Sequence, residues 1–255
     1  MAASIDINGD AGESYGRWTL GDDASFLPHV SSVNIACGFH GGDPSTMRAT
    51  VRIAKEAGIA VGAHPSFPDL MGFGRRMMSI APEEMADATL YQLGALTAIA
   101  RSEGMSLAHV KPHGAFYKAC SLDVNLSKAI GAAVAAYDPK LYLVLLAGPG
   151  ADAAEQAGAR VAREAFVDLD YDADGGLIIE RVARQRDPSL VAERALRIVR
   201  EGKLTKIDGA DMDVKVSTLC LHGDRPNSAE VARVVKQTLQ ANGIAVSPLG
   251  TEPRA

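Results

Sequence analysis

Four histidines follow directly on short apolar runs: His40 in NIACGFHGGDP, His64 in VGAHPSFPDL, His113 in HVKPHGAFY and His222 in LCLHGDRP. Asp10 and Glu13 stand at the same point after the first run, in INGDAGES, and Asp224 follows His222. One histidine in a loop is ordinary, but four of the chain's six at equivalent points form a pattern. Imidazoles and carboxylates that share a pocket divide general acid and base work or bind a divalent metal, because their pKa values are easily tuned around neutrality. Asp10, His40 and His64 suit a metal site. Their spacing is no compact H-E-x-x-H signature, so that reading requires a fold that brings them together. His29, in a Pro-containing loop, and His109, inside an apolar run, read as surface or core positions without a function.

Cations lie beside these groups. Lys111 and His113 alternate in KPHG, so the lysine could stabilise an oxyanion while the histidine moves a proton; pairing of Lys111 with a structural acid is the competing reading. In DLMGFGRRM, Gly72 and Gly74 precede Arg75 and Arg76, a pattern that suits two guanidinium groups closing over a carboxylate or phosphate. A solvated loop explains the Arg-Arg pair equally well. AGPGAD could offer helix-terminal N–H groups to an anion, or could simply make a turn. No G-x-x-x-x-G-K-[ST] phosphate loop is present.

The elements that must carry these residues alternate. Ile-, Val- and Leu-rich runs predict strands near 4–8, 32–36, 59–63, 107–110, 141–146, 161–166 and 216–221. Helical periodicity predicts helices near 44–57, 82–103, 124–136, 151–157, 188–201 and 227–242. Asp43-Pro44, Pro82-Glu83-Glu84 and Asp187-Pro188 supply the acid or proline expected in a first helical turn. A last apolar run, 244–249, reads as an edge strand or a lid over one barrel end. Repeated βα units imply a parallel sheet. With seven core strands the expected fold is an α/β, TIM-barrel-like (β/α) barrel, whose active site lies where the strands end. The long connections 64–81 and 167–187, rich in Gly, Asp and Arg, are expected to carry function.

Bulk properties fit. The 255 residues match one barrel of roughly 250 residues, so a single domain over 1–255 is expected. Acids and bases are interspersed, with a formal net charge of -5, and no basic stripe is available to track nucleic acid. The opening residues show neither a basic leader nor a long apolar stretch, and no apolar run reaches the roughly 18 residues of a membrane span. A cytoplasmic protein acting on a small molecule is expected. Cys37, Cys120 and Cys220 lack a C-x-x-C pair and read as reduced, buried thiols.

Taken together, NGDAGES, NIACGFHGGDP, GAHPSFPDLMGFGRRM, YQLGAL, KPHGAFY and LHGD occur in the order that characterises the LamB/YcsF family, which the chain resembles from about residue 5 to 248. The resemblance implies a seven-stranded barrel of the glycoside hydrolase/deacetylase kind. It also implies the A-subunit of a 5-oxoprolinase, opening 5-oxoproline to glutamate with hydrolysis of ATP, bound with or by partner subunits B and C. Under it, Asp10, Glu13, His64, Lys111 and His113 are the catalytic candidates. Asn34, Arg75, Arg76, Tyr117, His222 and Asp224 are the substrate-binding candidates, with Arg75 and Arg76 as a carboxylate clamp.

The chain departs from the family pattern in places. Gly9 and Ala11 stand where the opening motif usually has Cys and Leu. Val167-Asp168-Leu169 replaces a usual Ala-Asp-Arg, and Glu180 stands where an arginine is expected, with Arg181 adjacent. Loss of a fixed cation at 169 is expected to alter anion recognition there. Two competing functions follow: an autonomous metal-dependent amidohydrolase or deacetylase, and a non-catalytic barrel subunit.

Overall fold

The computed structural model describes residues 4–180 and 182–251. Seven parallel strands close into a barrel: β1 (Ser4–Ala11), β2 (Ser32–Ala36), β3 (Ala60–His64), β4 (Leu107–Val110), β5 (Tyr142–Leu146), β6 (Arg160–Phe166) and β9 (Thr218–His222), the last pairing back onto β1. Around it run α1 (Asp23–Phe26), α2 (Pro44–Ala57), α3 (Pro82–Ser102), α4 (Gly114–Leu122), α5 (Val124–Tyr137), α6 (Pro149–Gln156), α7 (Pro188–Glu201) and α8 (Ser228–Ala241). The short strands β7 (Lys203–Thr205) and β8 (Asp211–Asp213) form an antiparallel hairpin outside the barrel. The final apolar run is an edge strand, β10 (Ala245–Val246), parallel to the start of β1.

Caps fix the helix starts. Asp43 accepts the N–H groups of Ser45 and Thr46 ahead of α2, and Asp187 those of Ser189 and Leu190 ahead of α7; each helix carries proline in its first turn and ends on a left-handed glycine. Besides the one-turn α1, two elements were not legible in the periodicity. The helix α4 opens on Gly114 immediately after KPH, a residue that argues against a helix start; burial of Ala115, Phe116, Tyr117 and Cys120 on one face supplies the stability that propensity lacks. The β7–β8 hairpin has strands too short for an alternation to show.

Strand alternation sorts the barrel. In β1, Ile5 and Ile7 are buried towards the surrounding helices while Asp6, Asn8 and Asp10 point inward. Register stacks inward residues in layers: Asp6 beside Thr218, Asn8 beside Cys220 and Ser32, then Asp10 beside Asn34 and His222. Gly62 pairs with His109, whose ring occupies the space a Cβ at 62 would take. The interior is therefore polar, and many of its groups satisfy one another: Ser31, Ser32 and Thr218 donate hydroxyl hydrogens to Asp6, and His109 Nε2 bonds Asn34 Oδ1 at 2.6 Å. An unsatisfied buried polar group costs about 1–3 kcal/mol, so this mutual pairing is a condition of the fold.

Candidate active site

β1, β3 and β9 each run further than their apolar residues predict, so Asp10, His64 and His222 sit on the strands, at or near their ends. Asp10 is the hub. Its Oδ1 accepts from Asn34 Nδ2 at 2.7 Å and from Lys111 Nζ at 3.1 Å, while Oδ2 lies 3.4 Å from His64 Nε2 and 3.6 Å from His222 Nε2. Burial alone would raise the Asp10 pKa, yet His64 and Lys111 hold it well below the usual carboxylate range. Lys111 in turn reaches Asn8 Oδ1 at 3.0 Å, Cys220 Sγ at 2.8 Å and Glu164 Oε1 at 3.1 Å. Burial would discharge it, but Asp10, Cys220 and Glu164 keep it charged and its pKa raised. Lys111 therefore does pair with structural acids, and one of them, Asp10, faces the cavity. Asn34 lies beneath Asp10 as its hydrogen-bond support and does not line the cavity.

Beside Asp10 the imidazoles of His40, His64 and His113 pack together, His40 stacked on His113 with ring centroids 3.7 Å apart. His64 Nδ1 donates to the Lys111 carbonyl at 2.7 Å and His113 Nε2 to the Phe73 carbonyl at 2.8 Å, since a carbonyl only accepts. The remaining nitrogens, His113 Nδ1 and His64 Nε2, lie 3.0 Å apart. Two neutral rings would point lone pairs at each other across that gap, so the pair calls for one additional proton or a cation. Burial and the neighbouring imidazoles hold His113 well below its ordinary pKa, and burial does the same to His40. Glu13, raised by burial and by Asp224 and Asp10, places its Oε1 3.2 Å from His40 Nε2.

Glu13, His40, His64 and His113 could hold a metal ion, with one ligand atom from each lying within 4.8 Å of the others. The donors fit a divalent cation: neutral imidazoles with free lone pairs, one carboxyl, and a buried His40 Nδ1 that meets no partner among the described residues. His40 and His64, two of the three expected ligands, lie in this cluster. Asp10 falls into a neighbouring set with Cys220 and His222.

A second group orients His222. Asp168 accepts its Nδ1–H at 2.9 Å, its backbone N–H at 3.0 Å and Arg225 Nε at 3.0 Å. Burial opposes charge on both partners, but their attraction lowers the Asp168 pKa and raises that of His222. Arg225 is buried between Asp168 and Glu180, whose Oε2 lies 3.0 Å from its NH1. The acid at 180 therefore has a cation partner, and Arg194 braces the altered loop through the Leu169 carbonyl. Arg181 lies outside the described residues.

The loop after β3 is pinned, not free to close. Asp69 caps its 3-10 turn, Phe73 and Gly74 accept N–H groups from His113 and Ala115, and Gly74 (φ 63°) leaves no room for a side chain beside Ser66 and His113. Arg75 lines the cavity and pairs with Asp224 at 2.7 Å. Arg76 does not join it: its largely exposed side chain is drawn to Asp69, so the two-arginine clamp reduces to Arg75. The AGPGAD segment turns at 147–148 and then opens α6, but Gly150 packs against the Cys120 carbonyl and none of the six residues lines the cavity.

Asp10, His64, Arg75, Lys111, His113, Tyr117, His222 and Asp224 thus share the wall of one cavity. Tyr117, raised well above its ordinary pKa by burial and Glu164, is a neutral donor there. Sequence reasoning missed Glu164, Asn8 and Arg225, and saw Asp168 only as part of an altered motif. Glu164 had a signal: a lone acid inside the run VAREAF, in phase with the inward face.

A profile of the LamB/YcsF family matches residues 5–254. The chain is 49% identical over 245 residues to the 5-oxoprolinase A-subunit of Thermus thermophilus, covering 95% of this chain and 98% of that one. It superposes on the crystal structure of the lactam utilization protein from the same organism with a TM-score of 0.89 at 48% identity, covering 96% and 99% of the two chains. A family 4 carbohydrate esterase from Streptomyces lividans, at 12% identity and a TM-score of 0.50 over 97% and 93%, shares the fold alone.

Proposed function

The chain belongs to the LamB/YcsF family, and from that premise we propose that its barrel, residues 1–255, acts in the cytoplasm as the A-subunit of an ATP-dependent 5-oxoprolinase, opening 5-oxo-L-proline to L-glutamate with partner subunits B and C. The observation that carries the reading is the convergence of Asp10, His64, Lys111, His113 and His222 on one cavity at the strand ends. Its relatives are named as one lettered subunit of 5-oxoprolinase, which supports a multi-subunit assembly.

The lactam is a resonance-stabilised amide and resists water. ATP, bound with or by the partner subunits, supplies activation by phosphorylating the lactam oxygen. The chain's own groups do the rest. Asp10, ionised and with Oδ2 turned to His64 and His222, accepts the proton of the attacking water. Lys111 stabilises negative charge gathering on the carbonyl oxygen. The proton that Asp10 takes from water is handed back to the departing nitrogen, while His113, within hydrogen-bond reach of His64, holds that ring in place. Arg75 takes the substrate carboxylate, with Asp224, Tyr117 and His222 completing the contacts. A divalent cation on Glu13, His40, His64 and His113 would polarise the carbonyl or acidify a water.

Glutamate release from 5-oxoproline, with and without ATP, is the test, using this chain alone and with its partner subunits. Release is expected only from the ATP-supplied complex. Silence from that complex, with partners proven competent beside another A-subunit, would refute the assignment. The histidine cluster favours one second reading, an autonomous metal-dependent amidohydrolase. Absence of bound metal and indifference to chelator would sink it.

A further inference from the structure

His109 lies buried within β4 and lines no part of the cavity, yet a short chain of hydrogen bonds joins it to Asp10. Both hydrogens of the intervening Asn34 amide are committed: Nδ2 donates to Asn8 Oδ1 and to Asp10 Oδ1, each at 2.7 Å. Those two oxygens only accept, so the amide cannot turn over without setting its own oxygen against theirs. Asn34 Oδ1 therefore points away from Asp10, where His109 Nε2 meets it at 2.6 Å. A carbonyl oxygen accepts, so Nε2 carries the proton and donates. The ring is neutral and has one proton to give: burial pushes its pKa down to about 3, and Nδ1 meets no partner among the described residues. Its seat is built into the barrel, since Gly62 on the paired strand β3 leaves the space that the ring fills.

Asp10 has two oxygens with different tasks. Oδ1 is held by Asn34 and Lys111, which leaves Oδ2 towards His64 and His222 to take the proton of water. Asn34 and His109 are both fully buried, so an Asn34 Oδ1 stripped of its donor stays unsatisfied, and the amide loses the brace that keeps its N–H on Asp10. We propose that, within the 5-oxoprolinase reading on which the inference rests, His109 is a positioning residue: through Asn34 it holds the Asp10 carboxylate in the orientation that presents Oδ2 to the attacking water. The role belongs to the N–H at Nε2 and not to the bulk of the ring, which makes it separable from packing.

The experiment measures glutamate release by the complete complex carrying His109→Phe, which keeps an aromatic ring without a donor, or His109→Gln, which keeps an N–H donor. His109→Phe is expected to lower kcat roughly tenfold to a hundredfold while KM stays within about twofold, because residue 109 touches no substrate, and His109→Gln to retain kcat within about fivefold. On an Asn34→Ala background, His109→Phe should lower kcat no further. Unchanged kcat in His109→Phe overturns the inference, as does a His109→Gln as impaired as His109→Phe, or an undiminished further loss on the Asn34→Ala background. If wild type itself releases no glutamate beside competent partners, the underlying 5-oxoprolinase reading fails, and nitrogen-15 NMR of the wild-type chain still decides this one: a proton on His109 Nε2 upholds it and a proton on Nδ1 overturns it. The same spectrum decides if His109→Phe does not fold.

Discussion

Lys111 reaches the carboxylate of Asp10 across 3.1 Å inside the barrel, with both side chains almost fully buried. The pair is held in place by a second acid, Glu164, 3.1 Å from the same ammonium. Removing one member of a buried ion pair leaves its partner charged and unsolvated, which costs about 3–5 kcal/mol. Lys111→Met is therefore expected to lower the thermal midpoint by many degrees as well as to abolish turnover. Glu164→Gln, which keeps an acceptor for Asn8 and Lys111, should be milder on both counts. Thermal melts of the two variants check this; equal stability of Lys111→Met and wild type would refute the charge pairing.

His113 and His64 lack one proton for the hydrogen bonds their positions demand, and His40 Nδ1 meets no partner among the described residues. Both facts point to a cation in this cluster. Elemental analysis of the purified chain is expected to find about one divalent ion, and His40→Ala to lose it. Full metal retention by His40→Ala would exclude these four residues as the ligand set.

The strand order and most helix limits were legible because period two and period 3.6 differ so plainly in this chain, and because Asp43, Asp187 and their prolines announce helix starts. The four rim histidines were legible for a topological reason, since every βα loop of a parallel barrel opens on the same face. What escaped were interactions between distant segments. Arg76 beside Arg75 looks like a clamp until Asp69, seven residues back, is seen to take it. Glu164 and Arg225 become intelligible only when β6 and β9 lie side by side, bringing them to Lys111 and Asp168.

Three buried histidines should pull stability down on mild acidification. His40, His109 and His113 are buried neutral with depressed pKa values, His109 pushed down to about 3. Their contribution is fully present above the unfolded value of about 6.5 and is lost as pH falls towards the folded values, at up to about 1.4 kcal/mol per pH unit for each ring. Asp6, pushed up to about 6 by burial, and Glu13 and Glu164, also raised by burial, act in the opposite sense, binding protons in the folded state over the same range and offsetting that slope. His222, raised by Asp168, also acts against the three rings: its contribution is present below about pH 6.5 and fades as pH rises through its folded value. Urea midpoints of wild type and His109→Gln at pH 7, 6 and 5 isolate one ring's part, and an identical pH dependence of the two would contradict it.

Arg75 is already engaged by Asp224 at 2.7 Å, so a substrate carboxylate must compete with that acid for the same guanidinium. The competition sets the signs of two opposite effects. Arg75→Ala removes a charge-assisted hydrogen bond worth about 1.5–3 kcal/mol and should raise KM for 5-oxoproline roughly tenfold to a hundredfold. Asp224→Asn keeps the shape but releases the cation, so KM should fall severalfold. Steady-state kinetics on the reconstituted complex separates this from a purely structural ion pair, for which both substitutions would raise KM or leave it unchanged, because loosening the pair would then only misplace the loop that carries His113's partner, Phe73.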